Sequence, residues 1–224
     1  MYWNDEGYLL SRKNFDENSL IVEAFTLDHG KCTGIVYGGS SRKQKKNFQI
    51  GNKLLIHYKS KGLNRAGYFN IELLEPVSPF FFDDKRRSIC IVSASSLLKI
   101  LLPERQTNRK IYKSVEDFFL NKIKFLNWIN LYIYWELLLI KELGFEINFQ
   151  NNKELKKNDN NKIEINNKTF NIPKFLIEKN NKSISKSDIK EALVFNKIVL
   201  MENFILPNRL KIPSSRLILE KYYN

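Results

Sequence analysis

At 224 residues, with 43% hydrophobic and 13% aromatic side chains, the chain can bury one sizeable core or two small ones and is too apolar to be a disordered tail. Cys32 and Cys90 are its only cysteines, which excludes a disulfide framework and fits a reducing cytosol. The formal net charge of +13 points to an acidic partner, although Lys outnumbers Arg 28 to 9 and Asn and Ile are crowded, a bias that an AT-rich genome produces without selection for binding.

The first eighty residues read as strands. Gly7–Lys13, Ser19–Leu27, Lys31–Gly38, Asn52–Lys59 and Gly67–Glu75 are short apolar-rich runs, several with period-two alternation. Asp28-His29-Gly30 reads as a tight hairpin in which Gly30 suits a positive φ, and the run from Gly62 to Gly67 is a second turn signal. Five short strands in so little chain fit a small closed barrel, because an open sheet of that size leaves edges exposed.

After Pro76 and Pro79 the period changes. Arg87–Leu102 and Arg109–Ile123 have helical spacing, separated by Leu102-Pro103-Glu104-Arg105. Phe125–Leu143 is a long apolar helix that Gly144 ends, and its aromatics Phe125, Trp128, Tyr132 and Trp135 recur as a core stripe. Asn127, Asn130, Glu136 and Lys141 argue against a bilayer span there, and Met1–Glu6 lacks the basic and apolar regions of a signal peptide. The expectation is a soluble cytoplasmic protein with no membrane association. Residues 148–187 are Asn/Lys-rich and read as a loop-like excursion, with only Lys162–Ile165 and Lys168–Ile172 suited to a short hairpin. Ser187–Phe204 resumes a helical pattern with Ser187 or Asp188 as cap, and Ser214–Tyr223 forms a last short helix after Pro213. The fold class is α+β, with residues 1–80 as a β domain and 81–224 as a helical domain.

Nothing in the sequence supports an enzyme. The only histidines, His29 and His57, lie near no nucleophile motif, and the sole nucleophilic option is Cys32 beside His57 across adjacent strands. Paired metal ligands at short spacing are missing apart from His29 and Cys32, and no phosphate-binding glycine loop occurs, so no metal and no cofactor are expected. Binding remains. From Lys31 to Arg65 the chain carries nine basic residues and no acidic one, interleaved with Tyr37, Phe48, Tyr58, Tyr68 and Phe69. A one-signed stretch with stacking aromatics is how single strands are held without sequence readout. The alternatives are that Phe48 and Tyr58 point into the barrel and that Arg42–Lys46 is an ordinary solvated loop. The candidate contacts are Arg12, Lys31, Tyr37, Arg42, Lys43, Lys45, Lys46, Lys59 and Arg65.

Several collinear runs carry a family resemblance: Trp3 to Arg12 (WNDEGYLLSR), Glu17 to Val22 (ENSLIV), His29-Gly30-Lys31, Val36 to Arg42 (VYGGSSR), Leu101 to Arg105 (LLPER) and Trp135 to Leu139 through Leu143-Gly144-Phe145. In this order they resemble the RecO family of bacterial recombination mediators over roughly residues 3–145. The resemblance implies a five-stranded OB-fold β-barrel followed by a mainly α-helical C-terminal domain. It further implies binding to single- and double-stranded DNA, annealing, and work with RecR to load RecA onto DNA coated by single-strand-binding protein, whose acidic tail the helical domain would dock. Many members carry a cysteine-rich zinc segment where this chain has Glu146–Ser187, which contains neither Cys nor His. An RNA-binding OB-fold protein of translation or ribosome assembly is the competing reading.

Overall fold

The computed structural model of the chain describes residues 1–41, 44, 46–60, 62, 67–77, 79, 83–120, 128–145, 147, 162–178 and 184–223, which fall into two compact units, Met1–Lys124 and Phe125–Asn224.

Unit 1 begins with five strands: β1 (Tyr2–Asn14), β2 (Ser19–Thr26), β3 (Gly30–Tyr37), β4 (Lys53–Lys59) and β5 (Tyr68–Glu75). They close on themselves in the order β1-β2-β3-β5-β4, an OB-fold-like arrangement. The length of β1 makes this possible. Its first half pairs with β4 (Tyr2↔Lys59 to Tyr8↔Lys53) and its second half with β2 (Gly7↔Thr26 to Asn14↔Leu20). A register shift between Leu9 and Ser11 marks a bulge that bends the strand between its two partners. The seam is a parallel bridge, Ile35↔Tyr68, with Ile35 N donating to Gly67 O at 2.9 Å. Side chains alternate as a half-buried strand requires: Leu54, Ile56 and Tyr58 of β4 enter the interior, while Lys53, Leu55, His57 and Lys59 face out. The interior takes both residues whose direction the sequence leaves open, Phe48 and Tyr58, and also Phe69. The β2–β3 hairpin turns as expected, with Gly30 at φ +68 and Thr26 Oγ1 donating to Gly30 O at 3.0 Å.

Two helices complete the unit. α1 (Lys85–Leu101) starts ahead of its apolar spacing because Asp84 accepts from Arg86 N and Arg87 N, and it stops before Pro103. α2 (Arg109–Phe119) is capped by Asn108, which accepts from Ile111 N at 2.9 Å. It ends at Leu120, and the remainder of the expected helix to Ile123 lies outside the described residues. α2 covers one end of the sheet's outer face. Tyr8 and Phe25 meet Tyr112 at ring-centroid distances of 5.5 and 5.8 Å, and Tyr8 meets Phe119 at 5.5 Å. Burying such rings contributes about 1.5–3 kcal/mol each, so this patch is a second core that the sequence does not announce.

Unit 2 contains α3 (Trp128–Glu142), a hairpin of β6 (Lys162–Ile165) and β7 (Lys168–Asn171), α4 (Lys174–Glu178), α5 (Lys186–Leu200), a π-helical turn (Met201–Ile205) and α6 (Ser214–Tyr222). Gly144, at φ +105, ends α3 in a Schellman arrangement, with Gly144 N donating to Lys141 O and Phe145 N to Ile140 O. Asn166 and Asn167 both have positive φ (51 and 62), the conformation of a two-residue hairpin turn. The cap of α5 is Ser185 rather than Ser187 or Asp188. Asp188 is instead the return half of a capping box, bonding the Ser185 backbone. Within the 148–187 excursion, residues 162–178 thus form a hairpin and a helix with Ile165, Ile172 and Leu176 buried, whereas 148–161 and 179–183 lie outside the described residues.

Candidate nucleic-acid interface

The acid-free stretch is acid-free only along the chain. Folding brings carboxylates from other segments to two of its lysines. Lys31 is 9% exposed, its ammonium donates to Lys99 O at 2.7 Å, and Glu104 lies 3.4 Å away. Lys53, on the outer face of β4, sits between Glu6 (2.9 Å) and Glu116 (2.8 Å) beneath α2. Burial opposes the Lys53 charge, but the two carboxylates outweigh it and raise its pKa above the ordinary lysine range. The hydrogen bond from Lys53 correspondingly lowers that of Glu116. Both lysines are therefore engaged inside the fold.

The other candidates are placed as follows. Arg12 stands opposite Val22 in the β1–β2 ladder and is half-buried. Lys46 and Lys59 are exposed. Tyr37, at the end of β3, is 66% exposed and stacks on Tyr68 of β5, with ring centroids 5.2 Å apart and planes at 18°. Arg42, Lys43, Lys45 and Arg65 lie outside the described residues. Tyr37 and Lys59 thus come together at one end of the sheet, because Lys59 pairs with Tyr68 and Tyr68 stacks on Tyr37.

A second constellation lies where β1, the β2–β3 hairpin and the Pro103–Arg105 segment meet. Trp3 stacks on His29 at 4.1 Å and 9° and on Tyr58 at 4.7 Å and 18°, while Arg105 donates to the Tyr58 hydroxyl at 3.2 Å. Asp5 holds the hairpin by accepting from Asp28 N, His29 N and His29 Nδ1. A cavity of about 160 Å³ lies among these groups. The sequence reading treats His29 as a solvated turn residue. The signal it lacks is the strand assignment of residues 2–6, which brings Trp3 alongside.

The nucleophilic option is overturned by this geometry. β5 separates β3 from β4, so Cys32 and His57 are not on adjacent strands. Burial pushes the Cys32 thiol up to about 12, and its Sγ lies 3.3 Å from His29 O. His57 faces outward, 2.8 Å from Asn4 Oδ1 and 3.5 Å from Glu72. Cys32 and His57 are therefore not placed as a nucleophile and its base. Among the described residues, no group of three or more His, Cys, Asp or Glu side chains is placed to hold a metal ion, and no helix is long and apolar enough to cross a membrane.

Unit 2 has its own concave surface, a groove of about 1060 Å³ between β7–α4 and α5. Phe170, Ile172, Val194 and Ile198 supply apolar lining, and Lys174 and Lys190 add positive charge beside Asp188 and Glu191.

Comparison with known proteins agrees with this architecture. Residues 1–80 match the family described as "Recombination protein O N terminal", and residues 83–195 match "Recombination protein O C terminal". The DNA repair protein RecO of Wolbachia pipientis subsp. Culex pipiens is 36% identical over 149 residues, covering 66% of this chain and 60% of that protein. Those of Ehrlichia chaffeensis and Cereibacter sphaeroides are 31% identical (65% of this chain, 59% of theirs) and 32% identical (64% and 60%). The aligned stretch thus spans about 60% of the length of these curated relatives. With both halves of the family matched in order and the OB-fold-like sheet in place, this chain belongs to the RecO family of recombination proteins.

Proposed function

We propose that the chain is a non-enzymatic mediator of recombinational DNA repair. In this reading residues 1–80 bind single- and double-stranded DNA and anneal complementary strands. Together with RecR, the protein then helps load RecA onto DNA coated by single-strand-binding protein. The observation that carries the reading is the ordered match to both RecO halves on a chain whose first unit is an OB-fold-like sheet. The physics is consistent with it. Exposed lysines such as Lys46 and Lys59 release counterions when they replace them on phosphates, and two strands on one cationic surface repel each other less.

The groove in unit 2 suits the acidic tail of single-strand-binding protein. Lys174 and Lys190 complement its carboxylates, and the apolar lining accepts its hydrophobic residues, as helix-walled grooves do for short peptides.

One experiment addresses these steps together: annealing of complementary oligonucleotides precoated with single-strand-binding protein, with and without RecR. Annealing above the spontaneous rate, modulated by RecR, is expected. A rate equal to the protein-free control sinks the reading. A parallel arm with RNA of equal length separates DNA mediation from RNA binding.

A further inference from the structure

The outer face of the closed sheet is unequal along its length. At one end Tyr8 and Lys53 lie beneath α2, with Glu6 and Glu116 neutralising the lysine. At the other end the strands place four residues in one transverse row. Tyr2 of β1 pairs with Lys59 of β4, Lys59 pairs with Tyr68 of β5, and Tyr68 stacks on Tyr37 of β3. Directly opposed residues of antiparallel strands share a face, so Tyr2, Lys59 and Tyr68 project to the same side. Tyr2 and Tyr37 are each 66% exposed, whereas Phe48, Tyr58 and Phe69 are buried in the interior.

We propose that this row, Tyr2–Lys59–Tyr68–Tyr37, is a base-stacking platform for single-stranded nucleic acid, with Lys59 as the phosphate contact that crosses it. The inference rests on the DNA-binding reading and names the residues that would do the binding. Three strand spacings make the row about 14 Å long, enough for ~4 nucleotides at the 3.4 Å stacking distance and at the low end of site sizes for OB folds. The pair at its end is already stacked, ring on ring, and the adjacent Tyr68 phenol raises the pKa of Tyr37. Less side-chain entropy is then lost when a base stacks on them. Asp16, the carboxylate that also acts on Tyr37, is occupied by Asn18 N (2.9 Å) and Ser19 N (2.6 Å), which limits its repulsion of a phosphate. A platform of rings with one cation favours unpaired bases over duplex, because only unpaired bases offer a free π-face.

The test is fluorescence anisotropy of the full chain with a labelled thymidine oligonucleotide, the same backbone carrying abasic sites, and a duplex. Tyr37→Ala/Tyr68→Ala should weaken binding to the thymidine strand about tenfold or more while changing abasic and duplex binding little. Tyr37→Phe/Tyr68→Phe should bind like the unsubstituted chain, since phenylalanine keeps the π-face. Tyr2→Ala, on β1 and separated from Tyr68 of β5 by β4, should repeat the strand-selective loss on a smaller scale and so separates stacking from any misfolding of the double variant. Unchanged thymidine-strand affinity in both alanine variants, or an equal loss on the abasic strand, overturns the platform and leaves the DNA-binding reading standing. An unsubstituted chain that binds none of the three probes overturns both.

Discussion

Arg216 of unit 2 and Lys59 of unit 1 are both basic residues on regular elements, yet the fold uses them in opposite ways. Arg216 on α6 has no exposed side-chain surface, and neither has its partner Glu136 on α3. Its Nε donates to Glu136 Oε1 at 2.6 Å, its Nη2 donates to Glu136 Oε2 at 3.1 Å and to Leu193 O at 2.7 Å, and Tyr132 donates to the same carboxylate at 2.9 Å. Lys59 is exposed at the open end of the sheet. Lys53, on the same strand and the same face, falls between them, partly covered and ion-paired twice. Burial and partners, rather than formal charge, decide whether a cation holds the fold together or can meet a phosphate.

The largest effect expected from this contrast is at the buried end. Glu136→Ala removes the carboxylate that accepts two Arg216 hydrogen bonds and leaves the buried guanidinium with Glu220 at 3.6 Å, which costs about 3 kcal/mol. Two of the three tryptophans, Trp128 and Trp135, lie on α3, the helix that carries Glu136. Their fluorescence in a denaturant titration should show an earlier midpoint for the variant. A double replacement by apolar residues, Glu136→Met/Arg216→Met, should recover much of the loss, because it removes both charges together. A Glu136→Ala midpoint equal to the unsubstituted chain breaks the assignment of Arg216 as a structural cation.

The intermediate case has a pH signature. The folded pKa of Glu116 is lowered, so its stabilising contribution is complete above the unfolded value of about 4.3 and is lost as pH falls through the folded one. The folded pKa of Lys53 is raised, so its contribution is complete below about 10.4 and is lost as pH rises through the folded value. Lys53→Met should destabilise unit 1 by about 1 kcal/mol near neutral pH, as loss of a charge-assisted hydrogen bond does when partly screened. It should also flatten the fall in thermal midpoint at both pH extremes. Identical pH profiles for the two proteins would show that the Lys53 pairs are not coupled to folding.

Much of this arrangement is legible in the sequence. Period-two alternation locates β2 to β5 closely, and Gly30 and Gly144 mark a hairpin and a helix end by backbone geometry that side chains disfavour. β1 reads poorly at its start because Tyr2–Glu6 is polar and weakly alternating. Its strand form comes from pairing with β4, a tertiary effect that outweighs local propensity. That single omission hides both Trp3 in its stack and Tyr2 in the outer row. The carboxylates that fold onto the acid-free stretch are hidden for a related reason. Glu6, Glu104 and Glu116 lie outside it in sequence and reach it only through β1–β4 pairing, the Pro103 turn and α2. The outward phase of Tyr37 and Lys59 is legible in the sequence because both sit at strand ends, whereas the carboxylates that meet Lys31 and Lys53 are not, because they come from distant segments.

The smallest effect separates the two lysines of β4 most directly. Lys59→Ala removes an exposed side chain that has no ion pair among the described residues, so unfolding should shift by less than about 0.5 kcal/mol. Its consequence belongs to binding: one phosphate contact fewer reduces the slope of log affinity against log salt by about 0.7 on a single strand. Lys53→Ala is the internal control. Its ammonium already has two carboxylates as counterions, so a bound phosphate displaces no salt ion from it, and the salt slope should stay at the unsubstituted value while stability falls. The two variants change the net charge equally, so any account based on overall charge predicts equal slopes. Unequal slopes, with the loss at Lys59 alone, locate the phosphate contact at the open end of the sheet, and equal slopes return the interaction to the diffuse field of the whole chain.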